Sequence, residues 1–302
     1  MIVVIGSINM DLVLRVPRMP LPGETLTGGA FCTIPGGKGA NQAVACARLG
    51  TGAVAMIGCL GDDAFGQTLR AALVADGVDV SHVTSTPGVA SGIASILVDA
   101  SGQNSIVIAG GANDLLTPAH IDAALPLLTR ASIVVLQLET PLATVAHAIA
   151  VAHGLGKTVV LNPAPAASLP AALLAQVDYL IPNEIEAAML VGAEGGTDAG
   201  VDERTAAAAL QALGCPNVLV TRGAKGVYAA LADGTRDFPA RTVAALDTTA
   251  AGDTFIGGFV AALAAGLDPA TAIDRGQRAA AIGVTRAGAQ TSIPYLHELE
   301  LP

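Results

Sequence analysis

The chain has 302 residues, with 15 Lys or Arg against 25 Asp or Glu, a formal net charge of −10 at pH 7. That acidity disfavours nucleic acid and anionic membrane as partners, so an anionic ligand needs donors placed locally. Apolar residues make up 52%, yet much of this is alanine. Gly, Pro, Asp or Arg interrupts every apolar run before it reaches the roughly 18 residues of a membrane span, so a soluble protein is expected.

The first residues, Met1-Ile2-Val3-Val4-Ile5-Gly6, run straight into a strand pattern with no basic region ahead of an apolar one. No signal peptide is read there, and the expected location is the cytoplasm. Cys32, Cys46, Cys59 and Cys215 are widely spaced and form no Cys-x-x-Cys pair. Reduced thiols are expected rather than a structural zinc site.

Ile2 to Ile5 reads as a buried strand that delivers the next residues to the carboxyl edge of a sheet. Asn9 and Asp11 follow; taken alone they read as turn residues, with a grip on vicinal hydroxyls as the alternative. Leu12 to Ile34 carries Pro17, Pro20 and Pro22 among short apolar stretches, which suits small strands and turns. Ser91 to Ile108 is similar, with two strand-like runs flanking Asp99 to Asn104 as a hairpin. Together, segments of about 12–35 and 91–110 are expected to form a small β-sheet lid on a single α/β domain spanning 1–302.

Between them Pro35-Gly36-Gly37-Lys38-Gly39-Ala40-Asn41-Gln42 is a glycine loop entering a helix. It is not a P-loop, because Gly39 rather than Ser or Thr follows Lys38, and Cys32 stands where the first glycine belongs. A backbone that approaches a polar ligand, with Lys38 and Asn41 as donors, and a plain glycine turn both fit it.

From Ala53 on, strand-like and helix-like stretches alternate: Ala53 to Gly58 and Phe65 to Ala75, Ile133 to Leu138 and Leu142 to His153, Thr158 to Leu161, Tyr179 to Ile181 and Glu184 to Leu190, then Val218 to Thr221. Such βα alternation predicts an α/β fold, a doubly wound, mostly parallel sheet flanked by helices, with ligands at the carboxyl ends of its strands. The polar residues that fall there are Gln137, Glu139, Asn162, Asn183, Glu186 and the stretch Thr221 to Gly226. Gly192 to Gly200 reads as a surface loop.

The stretch that organises the rest is Leu246 to Phe255. A buried helix is predicted to begin near Gly252, and the small residues Ala250, Ala251 and Gly252 let an anion approach its unpaired N–H groups. Asp253 is out of place beside a phosphate unless it accepts a proton from a hydroxyl attacking that phosphate. The plain alternative is an Asp that stabilises the first turn of a helix.

Four stretches in order, Gly6 to Asp11, Gly36 to Gln42, Asn183 to Glu186 and Asp247 to Phe255, resemble the PfkB family of carbohydrate kinases. The likeness runs from Met1 to about Pro294 and includes Gln137 to Glu139 and Asn162 to Ala166. It implies ATP-dependent phosphorylation of ribose at the 5-hydroxyl. Deoxyribose, adenosine, fructose or a non-catalytic sugar-binding role are the alternatives. Carried over by position, Asp253 is the base, with Ala250, Ala251 and Gly252 in the anion turn. Asn9, Asp11, Gly37, Lys38, Gly39, Asn41 and Glu139 hold the sugar. Asn183 and Glu186 organise Mg2+ and the ATP phosphates, while Thr221, Arg222, Gly223, Ala224, Lys225, Gly226 and Gln277 line the nucleotide pocket with Gly252. Asp247, Thr249, Gly283, Arg286, Gly288 and Ser292 supply oxygens to a monovalent cation, K+. The resemblance also implies a homodimer formed through the lid. Thr249, Gln277 and Thr291 depart from residues common in the family.

Overall fold

The computed structural model describes residues 1–192 and 201–300. Of the loop expected at Gly192 to Gly200, all but Gly192 lies outside the described residues. In chain order the elements are β1 (Ile2–Ile5), β2 (Asn9–Arg15), β3 (Phe31–Gly36), α1 (Lys38–Leu49), β4 (Val54–Gly61), α2 (Ala64–Ala75), β5 (Val78–Thr86), β6 (Gly92–Val98) and β7 (Asn104–Ala109). There follow α3 (Pro118–Ala123), α4 (Leu125–Arg130), β8 (Ile133–Leu136), α5 (Leu142–Gly154), β9 (Thr158–Leu161), α6 (Ala171–Leu174), β10 (Tyr179–Leu180) and α7 (Glu184–Leu190). The chain ends through α8 (Glu203–Ala212), β11 (Asn217–Thr221), β12 (Val227–Leu231), β13 (Gly234–Phe238), α9 (Ala251–Ala264) and α10 (Pro269–Gly283).

Nine strands form the main sheet in the order β13-β12-β11-β10-β9-β8-β1-β4-β5. It is parallel from β5 to β11 and closes with two antiparallel strands. In β1 every residue is apolar because both faces are covered: Ile2 and Val4 enter the core under α1 and α9, Val3 and Ile5 the core on the opposite face. A second, four-stranded sheet in the order β3-β2-β6-β7 forms the lid. Asn9 and Asp11 are not turn residues. They lie within β2, which starts only three residues after β1 and pairs with both β3 and β6.

Helix α9 is buried without a break from Asp253 to Ala262, which an amphipathic surface helix never is. Glycines let it approach its neighbours closely: a Cβ at Gly257 would sit 2.2 Å from that of Ala45 on α1. On its other side Gly258 meets Gly276 of α10. Phe259 anchors the assembly, stacking on Phe255 at 6.3 Å and meeting Tyr179 edge-on at 5.2 Å. Removing that ring would cost about 3–5 kcal/mol. This packing fixes the start of α9 against the start of α1, where the polar residues gather.

Candidate active site

Asp253 occupies the third position of α9 and is buried, with 7% of its surface exposed. Both carboxylate oxygens accept from α1: Asn41 Nδ2 donates to Oδ2 at 3.0 Å and Gln42 Nε2 to Oδ1 at 2.9 Å. Burial pushes the Asp253 carboxyl above the ordinary aspartate value, against the opposing pull of Lys38 and the two amides. Asn41 Oδ1 is buried and finds no partner among the described residues.

The glycine loop is shaped by close approach. Gly37 caps α1 at φ +89°, and a Cβ there would lie 2.6 Å from the Asn9 nitrogen. The first N–H groups of α1 find acceptors outside the helix. Lys38 N donates to Glu139 Oε2 at 3.2 Å and Gly39 N to Ser7 Oγ at 3.3 Å, while Ser7 Oγ donates to Glu139 Oε2 at 2.6 Å. The Lys38 ammonium, half-buried, makes no hydrogen bond among the described residues. Burial works against its charge, but Asp253, Glu139, Glu186 and Asp11 together outweigh that and raise its pKa. Asp11, buried beside Glu139 and Asp253, is pushed up to about 7, with Lys38 opposing the shift. Asn9 is oriented by Asn113, whose Nδ2 donates to Asn9 Oδ1 at 2.7 Å. That bond leaves the amide nitrogen, a donor, as the end of the Asn9 side chain not held by Asn113. Asn9, Asp11, Gly37, Lys38, Gly39, Asn41, Glu139 and Asp253 therefore meet at one place.

The turn before α9 is strained. Ala250, at φ 57°, is the one non-glycine residue in the left-handed region among the described residues, a conformation that costs about 1–2 kcal/mol. It splays the N–H groups: those of Ala250, Gly252 and Asp253 meet no acceptor among the described residues, whereas Ala251 N bonds to Thr248 O at 3.2 Å. Ala251 N is thus the one of these four N–H groups that is already committed. A Cβ on Gly252 would touch nothing within 4 Å, so packing does not require glycine there.

From this turn a mostly apolar cleft of about 370 Å3 extends between β11, β12 and α10. Thr221, Gly223, Ala224, Gly226, Gly252 and Gln277 line it. Arg222 and Lys225 do not: Arg222 pairs with Glu203 at 3.0 Å and Asp237 at 2.8 Å, and Lys225 reaches Glu184 at 3.0 Å. Gln277 Nε2 donates to the Phe238 carbonyl at 3.0 Å, so Oε1 is the polar atom this side chain keeps uncommitted among the described residues. Asn183 and Glu186 form a reciprocal capping box at the start of α7, each side chain accepting from the other's N–H at 2.8 Å. Burial raises the Glu186 pKa, and its coupling to Lys38 and Asp253 places it on the rim of the same site.

Beyond the turn, Asp247 ties two loops together. Its Oδ1 accepts from Thr249 N at 2.9 Å and its Oδ2 from Gly288 N at 2.9 Å. Gly283 lies beside the Ser292 carbonyl, although the Gly283 oxygen already accepts from Arg286 N at 2.9 Å. The Arg286 side chain turns away to Glu298. The carbonyls of Thr249, Arg286, Gly288 and Ser292 accept no hydrogen bond among the described residues. An oxygen set of low charge, bordered by one carboxylate, fits a monovalent cation in chemical type.

Three contributors escaped the reading of the sequence: Ser7, Gln42 and Asn113. Gln42 stood inside a quoted motif, but its contact with Asp253 spans 211 positions and left no local signal.

Residues 1–296 match the pfkB family carbohydrate kinase. A ribokinase of Haemophilus influenzae is 45% identical over 98% of this chain and 95% of its own. A deoxyribokinase of Salmonella typhi is 40% identical over 98% and 96%. Arabidopsis thaliana ribokinase, solved with ribose and ATP, superposes with a TM-score of 0.87 at 32% identity, covering 99% of this chain and 96% of that one. The buried aspartate beside an open helix N-terminus, the glycine loop before α1 and the match across nearly the whole length agree, and the chain belongs to the pfkB family of carbohydrate kinases.

Proposed function

We propose that the protein transfers the γ-phosphoryl group of ATP to the 5-hydroxyl of ribose, with Asp253 as the general base. One observation carries this reading: a buried carboxylate, gripped at both oxygens, sits on the same helical turn as three unpaired N–H groups. The N–H groups neutralise the transferring phosphoryl while Asp253 receives the hydroxyl proton. In a loose transition state that proton leaves late, so positioning outweighs basicity. Lys38 supplies the mobile positive charge.

The sugar lies between β2 and α1, where Asn9 offers a donor and Asn41, Asp11 and Glu139 offer acceptors. A substrate lacking one hydroxyl leaves one of these buried groups unpaired, which is the physical basis for ribose over deoxyribose. Adenine and its ribose occupy the apolar cleft, with the phosphates at Gly252. Asn183 and Glu186 would hold Mg2+ through water, and the ion would neutralise phosphate charge. K+ would sit among the carbonyls around Asp247 and Gly288 and strengthen the field of the anion turn. The lid strands carry exposed Phe31, Ile106, Val107 and Ile108, an apolar surface suited to pairing with the lid of a second copy in a homodimer. No described helix is long and apolar enough to cross a membrane; a cytoplasmic enzyme is proposed.

The test is phosphoryl transfer to ribose, 2-deoxyribose, fructose and adenosine by the parent and Asp253→Asn enzymes. Ribose is preferred, and Asp253→Asn lowers kcat by roughly 10²–10⁴-fold while ribose and ATP still bind. Parent-like turnover by Asp253→Asn rules out the base, and preference for another acceptor overturns the sugar assignment alone.

A further inference from the structure

Behind Asp253 lies a chain of buried amides that the reaction itself does not require. Gln42 Nε2 donates both to Asp253 Oδ1 at 2.9 Å and to Asn162 Oδ1 at 3.2 Å, and Gln137 Nε2 donates to Gln42 Oε1 at 2.6 Å. Asn162 Nδ2 in turn donates to the Ile181 carbonyl at 2.9 Å. All three amides are at least nine-tenths buried.

The direction of the chain follows from that last bond. A backbone carbonyl only accepts, so Asn162 must present its nitrogen to Ile181 and its oxygen to Gln42. Gln42 must therefore present its nitrogen, and the same nitrogen reaches Asp253. Gln137 completes the arrangement by donating to the Gln42 oxygen, at the expense of its own Oε1, which is buried without a partner among the described residues. That oxygen lies over Gly6, where a Cβ would come within 2.0 Å of it. The end of β1 thus has room for this rotamer only because residue 6 is glycine.

We propose that Gln42 is a positioning residue that holds Asp253 in the rotation and ionised form needed to accept the substrate proton, and that Gln137 fixes which end of the Gln42 amide faces it. The proposal rests on Asp253 as base. Asn41 and Gln42 are consecutive on α1 and reach the carboxylate from two directions, one oxygen each, which sets its plane. A hydrogen bond to the carboxylate favours the charged form, so its loss raises the pKa of the base. The other charged groups facing Asp253 are Lys38 on α1, Glu139 after β8, Asp11 on β2 and Glu186 on α7.

The experiment is the pH profile of kcat at saturating sugar and ATP for the parent, Gln42→Met, Gln137→Met and Asp253→Asn enzymes. Methionine keeps the length of the side chain and removes the amide. In Gln42→Met the acid limb moves up by about one to two pH units, as expected for a lost charge-assisted bond. Its plateau kcat falls by at least about tenfold while KM for the sugar changes less than about threefold. Gln137→Met shifts the limb in the same direction by less, and it carries the test if Gln42→Met does not fold. Superimposable profiles, or a rise in KM with kcat and limb unchanged, overturn the proposal. Parent-like turnover in Asp253→Asn instead removes the base and is told apart by that variant alone.

Discussion

Replacing Gly39 by Ala tests whether the approach of α1 to the end of β1 holds the site together. The added Cβ would lie 2.7 Å from the Gly6 carbonyl carbon and the Ser7 nitrogen and 2.8 Å from Gly6 Cα, all of them backbone. Ordinary carbon contacts need about 3.5–4.0 Å, so the start of α1 must lift by somewhat less than 1 Å. No flexible side chain is present to yield. Overpacking of this kind costs about 1–3 kcal/mol, which in a chain of this size lowers Tm by several degrees. The same lift carries Asn41 and Gln42 away from Asp253 and loosens the Lys38 N–H from Glu139. A displacement near 1 Å in a positioning group can reduce turnover about 10²-fold. Thermal melting and kcat/KM measured on Gly39→Ala read both effects. Gly52→Ala is the control, because a Cβ there meets nothing within 4 Å. If Gly39→Ala matches Gly52→Ala in Tm and in turnover, close approach at residue 39 does not organise the site.

The Asp11 carboxyl, raised from 3.8 to about 7, makes the ligand-free protein less stable as pH rises through that interval, because the unfolded chain has already released the proton. The penalty approaches about 4 kcal/mol above pH 7 and is absent below the unfolded value. Asp11→Asn therefore raises Tm most at pH 8 and little at pH 4, and a Tm difference independent of pH contradicts this. Ribose hydroxyls favour the carboxylate, so ribose affinity of the parent, followed by calorimetry, strengthens from pH 6 to pH 8; a flat profile counts against Asp11 as an acceptor. Gly252→Ala leaves Tm unchanged or higher, since its Cβ enters open space and alanine gains about 1 kcal/mol of helix propensity. Its kcat falls because the methyl stands where the phosphate approaches, and unchanged kcat would remove the anion turn from the mechanism. Exchange of Na+ for K+ at fixed ionic strength raises kcat, and equal rates in the two salts dismiss the carbonyl set around Gly288 as a cation site.

The main sheet was legible where strands are buried on both faces, because Ile2 to Ile5 and Ile133 to Leu136 leave no polar position to confuse with a helix. Helix α9 was legible as a long proline-free run rich in Ala, Phe, Val and Leu. The antiparallel edge β12 to β13 was not: Val227-Tyr-Ala-Ala-Leu231 is buried throughout and two of its five residues are alanine, with neither alternation nor β-branching after its first residue. A usable signal preceded α10, where Asp268 caps and Pro269 opens the helix. Asn9 and Asp11 were misplaced because their setting is non-local: β2 is a strand only by pairing with β3 and β6. In the candidate site, the residues expected to hold sugar and phosphate were readable from motifs. Their supports, Ser7, Gln42, Asn113 and Gln137, depend on which side-chain ends face one another across the fold.

The site gathers four carboxylates, Asp11, Glu139, Glu186 and Asp253, about a single lysine, an odd preparation for binding a polyanion. The geometry resolves this by separating backbone from side chain. On α9 Gly252 lines the cleft and the N–H groups of Gly252 and Asp253 have no acceptor among the described residues, whereas the Asp253 side chain turns back to the amides of α1. In the proposed reaction the phosphate would meet the positive end of the helix, and the sugar hydroxyl the carboxylate. Because residue 253 contributes both its N–H and its side chain, the proposed base and anion site cannot drift apart, as they could if a loop carried either one. The buried packing of α9 against α1 and α10 then serves the chemistry directly. It holds one turn of helix so firmly that the attacking oxygen and the phosphoryl group can be brought together between two faces of a single residue.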